Sequence, residues 1–431
     1  MKLIHLFFFS AAIAGGCATQ NYHRETLPWQ VNYDEAALPP VELPEILTCS
    51  DGRVISSPED WNRLRRPELL RLFQDTMYGK SLPLPARTEY RILSEKRGDL
   101  NGTATRREIL ITFHHNGQTH DMTILFYVPE RRNGKVPLFA GLNFRGNHSL
   151  RPEPEILPTG LRKCKNETEL QEWLDTRASR RAGFPVEEII RRGYAVATAS
   201  YHDLFPDRID GWQESIFRLF FPQANLQPRL PGYSSIGAWA WGISRIIDCA
   251  VTFPEIDAGK IACYGHSRLG KTSLWAGVND ERIGLICVND SGCGGAALSR
   301  RLYGETLYGM YHYNNFGKYW FTDTLESRAL HPETLPVDQH MLIALAAPRA
   351  IAVHSATEDR WADPKGEYLA AYHAGPVYRL FGKDPLESPV PPIPDMPVGT
   401  DVSYFLRTGK HALLPADWLH YLDRADYVFG K

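Results

Sequence analysis

The chain has 431 residues, 43% of them hydrophobic, with 48 basic against 50 acidic side chains and a formal net charge of −2. That length and apolar content allow a large buried core, and the charge balance excludes the basic stripe of a nucleic-acid-binding surface. No Cys-x-x-Cys or His-Glu-x-x-His pattern points to a metal, and no cofactor is expected.

In chain order, Met1-Lys2 followed by the apolar run Leu3 to Ala14 reads as an export signal, too short to span a membrane permanently. It ends in Ala14-Gly15-Gly16-Cys17, as bacterial lipoprotein signals do, so acylation of Cys17 and membrane attachment are expected. Export to the periplasm or outer membrane, or secretion, follows from that reading. Residues 18–100, rich in proline and charge, read as an N-terminal wrap on the core. Residues 101–431 read as a single catalytic domain in which strand and helix patterns alternate.

Met122–Val128 is a strand stopped by Pro129, and Val136–Phe144 and Tyr194–Ala199 are two more. The polar segment Glu153–Ala182 between them reads as an insertion bordering a site. Ile236–Thr252, with Trp239, Trp241, Ile243, Ile246 and Ile247, has the length and spacing of a buried helix. Further strands are expected over Lys260–Tyr264, entered through the turn-like Asp257-Ala258-Gly259, over Ile283–Val288 and over Ala347–His354. Pro415–Tyr427 is a closing helix with proline in its first turn. Strands apolar on both faces point to an α/β fold, a mostly parallel central sheet covered by helices on both sides. Cys263 and Cys287 fall within such strands and read as reduced core residues.

The stretch Tyr264-Gly265-His266-Ser267-Arg268-Leu269-Gly270-Lys271-Thr272 answers to two descriptions. From Gly265 it fits Gly-x-x-x-x-Gly-Lys-Thr, a phosphate-cradling loop, with Leu285–Asp290 in the place of a magnesium-binding strand. Around Ser267 it is Gly-x-Ser-x-x-Gly, close to the nucleophile elbow of α/β-hydrolases. Position favours the elbow. Several strands precede it, the intervening residues are bulky, and the magnesium-strand mimic follows too soon. An elbow must be followed by an acid and then a histidine on strand-end loops. Asp290 follows one strand, Asp359 follows the next, and His411 precedes the last helix. Ser267 would then be the nucleophile, His411 its base, and one of the two aspartates the group orienting the imidazole.

These blocks resemble carbohydrate esterase family 15, the glucuronoyl esterases. Gly265–Lys271 is similar to the family's Gly-(Cys/His)-Ser-Arg-x-Gly-Lys signature, with His266 where fungal members carry cysteine. Asn289–Gly295, Glu358–Glu367, and His411 with Asp417-Trp418 resemble three further blocks, and the likeness runs from about Lys135 to the C-terminus. Asp290 stands where fungal members carry glutamate, and the resemblance implies that both Asp290 and Asp359 positions are used among bacterial members. Asp290 is the favoured acid, because its position matches the family's.

The backbone amide after the nucleophile, that of Arg268, donates to the oxyanion in this architecture. The resemblance implies that the Arg268 guanidinium reaches the oxyanion too, and that Lys271, Glu305 and Trp361 bind sugar hydroxyls. Lys271 lies four residues after Ser267, hence on the same face of a helix. Arg145-Gly146-Asn147-His148 takes the place of a lipase oxyanion loop without its glycines, and His148 and His202 read as structural. The implied function is hydrolysis of esters between (4-O-methyl-)glucuronic acid of xylan and lignin alcohols, by a monomer acting through an acyl-enzyme on Ser267. The alternatives are an acetyl-xylan-type esterase of the same fold, a nucleotide-binding protein, and a carbohydrate-binding module without catalysis.

Overall fold

Residues 31–431 are described by the structure, a computed structural model. The export signal and Cys17 lie outside these residues. Nine strands form one sheet: β1 (Arg87–Gly98), β2 (Ala104–His115), β3 (Gln118–Pro129), β4 (Val136–Asn143), β5 (Ala195–Ser200), β6 (Ile256–His266), β7 (Ile283–Asn289), β8 (Ala350–Ala356) and β9 (Val402–Arg407). Their order across the sheet is β1-β2-β3-β5-β4-β6-β7-β8-β9. The first four in that order are antiparallel neighbours, and all pairs from β5 and β4 to β9 are parallel.

The parallel strands divide their side chains between two cores, as the two-residue period of a strand requires. Leu138, Ala140, Ile261, Cys263, Ile286, Val288, Ile351 and Val353 face one, packed by the helices Ser235–Ala250 and Arg268–Asn279. Phe139, Ala262, Tyr264, Leu285, Cys287 and Ala352 face the other, covered by Val186–Arg191 and Pro415–Phe429. Helices therefore cover both faces of a mostly parallel sheet. All six cysteines among the described residues are free, including Cys263 and Cys287.

Three departures from the sequence reading have physical causes. Strand β6 begins at Ile256, because Ile256 already pairs with Val136 before the register shifts ahead of Leu138 and Ile261, so Asp257-Ala258-Gly259 lies inside the strand. Strand β8 begins only at Ala350, after Pro348, which has no amide to donate to a ladder. Strand β1 carries Arg87, Glu89, Arg91, Glu95, Lys96 and Arg97 and is mostly exposed; such charges suit an edge and hide the strand from a search for apolar runs.

Trp61, Leu69, Phe73, Met77 and Tyr78 are buried in the core that contains the Ser235–Ala250 helix. The Tyr78 ring stacks on Trp275 with centroids 4.6 Å apart, an arrangement worth ~1 kcal/mol beyond the area buried. Its hydroxyl donates to Gly294 O at 3.0 Å, tying residues before the sheet to the loop after β7.

Candidate active site

Because β4 to β9 run parallel, the loops leaving their carboxyl ends gather at one edge of the sheet, where α/β folds place their sites. The tightest of these loops is the turn at Ser267, between β6 and the Arg268–Asn279 helix. Ser267 has φ 57° and ψ −128°, a conformation costing about 1–3 kcal/mol for a residue with a side chain. The Ser267 amide donates to Asn289 O at 2.8 Å, and its carbonyl accepts from the Gly270 and Lys271 amides at 2.8 and 3.1 Å. The two glycines of the motif have steric reasons. A Cβ on Gly265 would lie 1.9 Å from Leu269 O, and one on Gly270 would lie 3.0 Å from Asn289 O. The spacing thus serves a strand and helix packed closely around the half-buried Ser267. Lys271 spends its ammonium on Glu305 Oε2 at 2.9 Å and Ser291 O at 2.5 Å, which removes the cation that a phosphate loop requires.

His411 sits on the loop leaving β9, and its Nδ1 hydrogen-bonds Asp359 Oδ2 at 2.5 Å. Two neighbouring loops are laced to hold that geometry. Thr357 N donates to Arg407 O at 3.0 Å, Glu358 N to Gly409 O at 2.8 Å, and Gly409 N to Thr357 Oγ1 at 3.0 Å. Gly409 has φ 118°, outside the range available to side-chain-bearing residues.

Asp290, the acid favoured from its position in the chain, takes a different place. Its Oδ2 accepts from the Ala412 amide at 3.1 Å and lies 3.8 Å from both His266 Nδ1 and an Arg407 nitrogen. Burial pushes its carboxyl well above the ordinary range, and the charges of Asp359, Glu367 and Asp417 push the same way against Arg407. The group bonded to the imidazole is Asp359. The correction follows from loop geometry: Asp290 has φ 44°, and this turn carries its side chain to the amide after His411.

Ser267, Arg268, His266 and His411 line one cavity of about 250 Å³. Phe144 and Arg145 come to its wall from the loop after β4, Tyr201, His202 and Asp207 from the loop after β5, and Phe316 from further on. The polar insertion contributes Lys163, Trp173 and Arg180. His266 lies beside His411 with ring centroids 4.4 Å apart and the rings tilted by 43°, and hydrogen-bonds Asn289 Oδ1 at 2.5 Å. Burial, then the adjacent His411 charge, push its pKa well down, so it is a neutral neighbour. His148 is buried and hydrogen-bonds Trp173 O at 3.0 Å, away from the histidine pair.

Lys271 and Glu305 form a buried ion pair, and Glu305 N donates to Trp361 O at 2.7 Å, so the three residues are neighbours. None of the three is part of the cavity wall described above.

Three residues around the site were given no role by the sequence. Asp207 ion-pairs with Arg268. Glu367 accepts from the Ser291 and Gly292 amides and from the Ser291 and Ser355 hydroxyls, and burial pushes its carboxyl up to about 7. Arg407 donates to the carbonyls of Thr408, Lys410 and Ala412, pinning the loop that bears His411, and to Asp417 Oδ2 at 3.1 Å. Asp207 and Arg268 are 61 residues apart, and Glu367 reaches Ser291 across 76, so their pairing is not written at short spacing.

An elbow serine, a carboxylate-held histidine and an arginine on one cavity are the parts of acyl transfer. Comparison with known proteins agrees with that chemistry. The fungal glucuronyl esterase family matches residues 225–382. A carbohydrate esterase from an unidentified prokaryote is 39% identical over 413 residues, 93% of this chain and 92% of that protein. The solved glucuronoyl esterase of Solibacter usitatus superposes with a TM-score of 0.82 at 34% identity, over 92% of this chain and all of that one. A structure described as a promiscuous esterase of carbohydrate esterase family 15, from a marine bacterial metagenome, does so at 0.81 and 37%, over 92% of this chain and all of that one. With this extent of likeness in both sequence and fold, the chain belongs to carbohydrate esterase family 15, the glucuronoyl esterases.

Proposed function

We propose that the protein is a serine esterase that cleaves esters of (4-O-methyl-)glucuronic acid, of the kind that join glucuronoxylan to lignin alcohols. The observation that carries the reading is the 2.5 Å His411–Asp359 hydrogen bond on a cavity shared with Ser267 and Arg268. Ser267 Oγ attacks the C6 carbonyl while His411 takes its proton. Asp359 holds the imidazole in the required tautomer and faces the imidazolium that forms. The Arg268 amide and guanidinium receive the oxyanion. Collapse expels the alcohol, which takes the proton from His411 and leaves an acyl-enzyme. Water activated by His411 then releases glucuronate and regenerates Ser267.

The cavity chemistry supports both halves of the substrate. Arg145, Lys163, Arg180 and Arg268 line it, and they suit an acid whose carboxylate is freed by the reaction. Phe144, Trp173 and Phe316 in the same wall suit an aromatic alcohol. The Lys271–Glu305 pair, which presents a donor and an acceptor without net charge, and Trp361 beside it are assigned to the sugar hydroxyls. A second reading, a carbohydrate esterase of broader acyl range, is favoured by the promiscuity ascribed to the marine relative. Among the described residues no helix is long and apolar enough to cross a membrane. We assign export to the N-terminal segment and membrane attachment to lipidated Cys17, and take the protein to act as a monomer. Radiolabelled palmitate incorporation that persists in Cys17→Ser would overturn that anchor.

The test is hydrolysis of benzyl glucuronate by the wild type and by Ser267→Ala, with 4-nitrophenyl acetate as comparator. Turnover of the glucuronate ester, lost in the variant, supports the assignment. Serine-dependent cleavage of acetate alone would move it to the broader reading.

A further inference from the structure

Asp207, on the loop after β5, is a buried carboxylate whose hydrogen-bonding capacity is filled. Oδ2 accepts from Arg268 Nη1 and from Tyr201 OH at 2.7 Å; Oδ1 accepts from Tyr319 OH at 3.0 Å and from Trp320 Nε1 at 2.8 Å. A carboxylate offers about four lone-pair directions, so four donors leave it no freedom to turn. Its backbone amide is held as well, donating to His202 Nδ1 at 3.0 Å. Three of the four side-chain donors are neutral, which makes Arg268 the charge that balances Asp207. Burial alone would raise this carboxyl, and the Arg268 charge beside it holds it down to about 2.

The constraint passes to Arg268. Its guanidinium lies 4.7 Å from the Trp320 ring centroid and 5.4 Å from that of Phe316. Stacking fixes the plane of the group and Asp207 fixes its rotation within that plane. One nitrogen is thereby committed. Among the described residues, the buried Arg268 Nε has no hydrogen-bond partner, and a buried donor left unpaired calls for a partner of its own.

We propose that Asp207 is a positioning residue for ester hydrolysis, locking the Arg268 guanidinium, with Tyr201, Tyr319 and Trp320, in the orientation that meets the oxyanion. The inference rests on the esterase reading above, and it goes further by assigning a function to a residue that never touches the ester. Arg268 alone, on a flexible stem, would have to be ordered in each turnover; held by Asp207 it meets the developing charge without reorganising.

The experiment is a double-mutant cycle on the full-length protein with Asp207→Asn, Arg268→Ala and the double variant. It reads kcat and KM on benzyl glucuronate and the rate of Ser267 labelling by a fluorophosphonate. Asp207→Asn is close in shape and keeps an acceptor for Tyr319 and Trp320. It is expected to lower kcat about tenfold to a hundredfold with KM little changed, and to slow labelling in parallel. In the Arg268→Ala background the same change should cost nothing further, because its effect runs through the arginine. Losses that multiply in the double variant, or an Asp207→Asn enzyme as fast as wild type, would overturn the proposal. Should Asp207→Asn fail to fold, Tyr319→Phe loosens the carboxylate and keeps its charge; its smaller kcat loss must likewise vanish without Arg268. If the wild type ignores glucuronate esters, the substrate reading fails separately, and the cycle is read from labelling, which needs no sugar.

Discussion

Asp207 and Asp290 are both buried aspartates on loops at the same edge of the sheet, and their carboxyls are pushed in opposite directions. Asp207 faces a guanidinium and three neutral donors, its carboxyl held down to about 2. Asp290 has one amide donor at 3.1 Å and an arginine nitrogen at 3.8 Å, amid three other carboxylates, and is pushed well above the ordinary range. Burial is common to both, so what faces the carboxylate decides which way its pKa moves. The lesson carries to Asp359: an acid supports an imidazole by being bonded to it, and chain order does not settle that.

The sharpest way to break this comparison is to neutralise the acids one at a time. Asp359→Asn should lower kcat about 10³- to 10⁴-fold, since the tautomer-setting acceptor of His411 is lost; steady-state kinetics on benzyl glucuronate measures it. A loss under tenfold would return the role to Asp290. Next in size is Arg407→Ala. It unpins the His411 loop and leaves Asp417 without its guanidinium partner, and is expected to cost roughly 3–5 kcal/mol in urea unfolding. Stability unchanged by that variant would mean that the guanidinium is dispensable to the acid cluster.

The third test uses pH. Glu367 releases its proton at about 7 in the folded state, against an ordinary value of 4.5. The folded state thus holds a proton that the unfolded chain has released, so stability is greatest below 4.5 and falls as pH rises towards 7, by on the order of 3 kcal/mol. Glu367→Gln, which can still accept from Ser291 and donate to Ser355, should remove that fall. Unfolding curves at pH 5 and pH 8 check it, and an unchanged pH difference would refute the assignment. The smallest effect is expected from Asp290→Asn. Its carboxylate oxygen meets the Ala412 amide and not the imidazole, so kcat should change less than about tenfold; a larger loss than in Asp359→Asn would invert the comparison between the two acids.

Much of the fold was legible because its signals are local. Runs such as Ile283–Val288, apolar on both faces, announce strands buried between helix layers, and the buried Ser235–Ala250 helix announces itself by length and apolar spacing. Strands β1, β2 and β9 escaped: the first is an exposed edge full of charge, the second carries Arg106-Arg107-Glu108, and the third ends on Arg407. At the site, Ser267 was legible because a tight strand–turn–helix demands glycine at 265 and 270, a steric need written at fixed spacing. His411 was legible from its place before the last helix.

What the amino-acid sequence determined by itself is the local chemistry: a serine in a strained turn, an arginine beside it, two acids and a histidine in order on strand-end loops. What only the tertiary structure decided is which acid meets which base. Asp359 bonds His411, Asp290 bonds the amide of Ala412, and Asp207, without any motif, balances Arg268 from 61 residues away. The reason is physical. Backbone turns obey short-range sterics, which a few neighbouring residues specify, whereas hydrogen bonds between loops and the charge of a buried acid depend on groups brought together by the whole sheet.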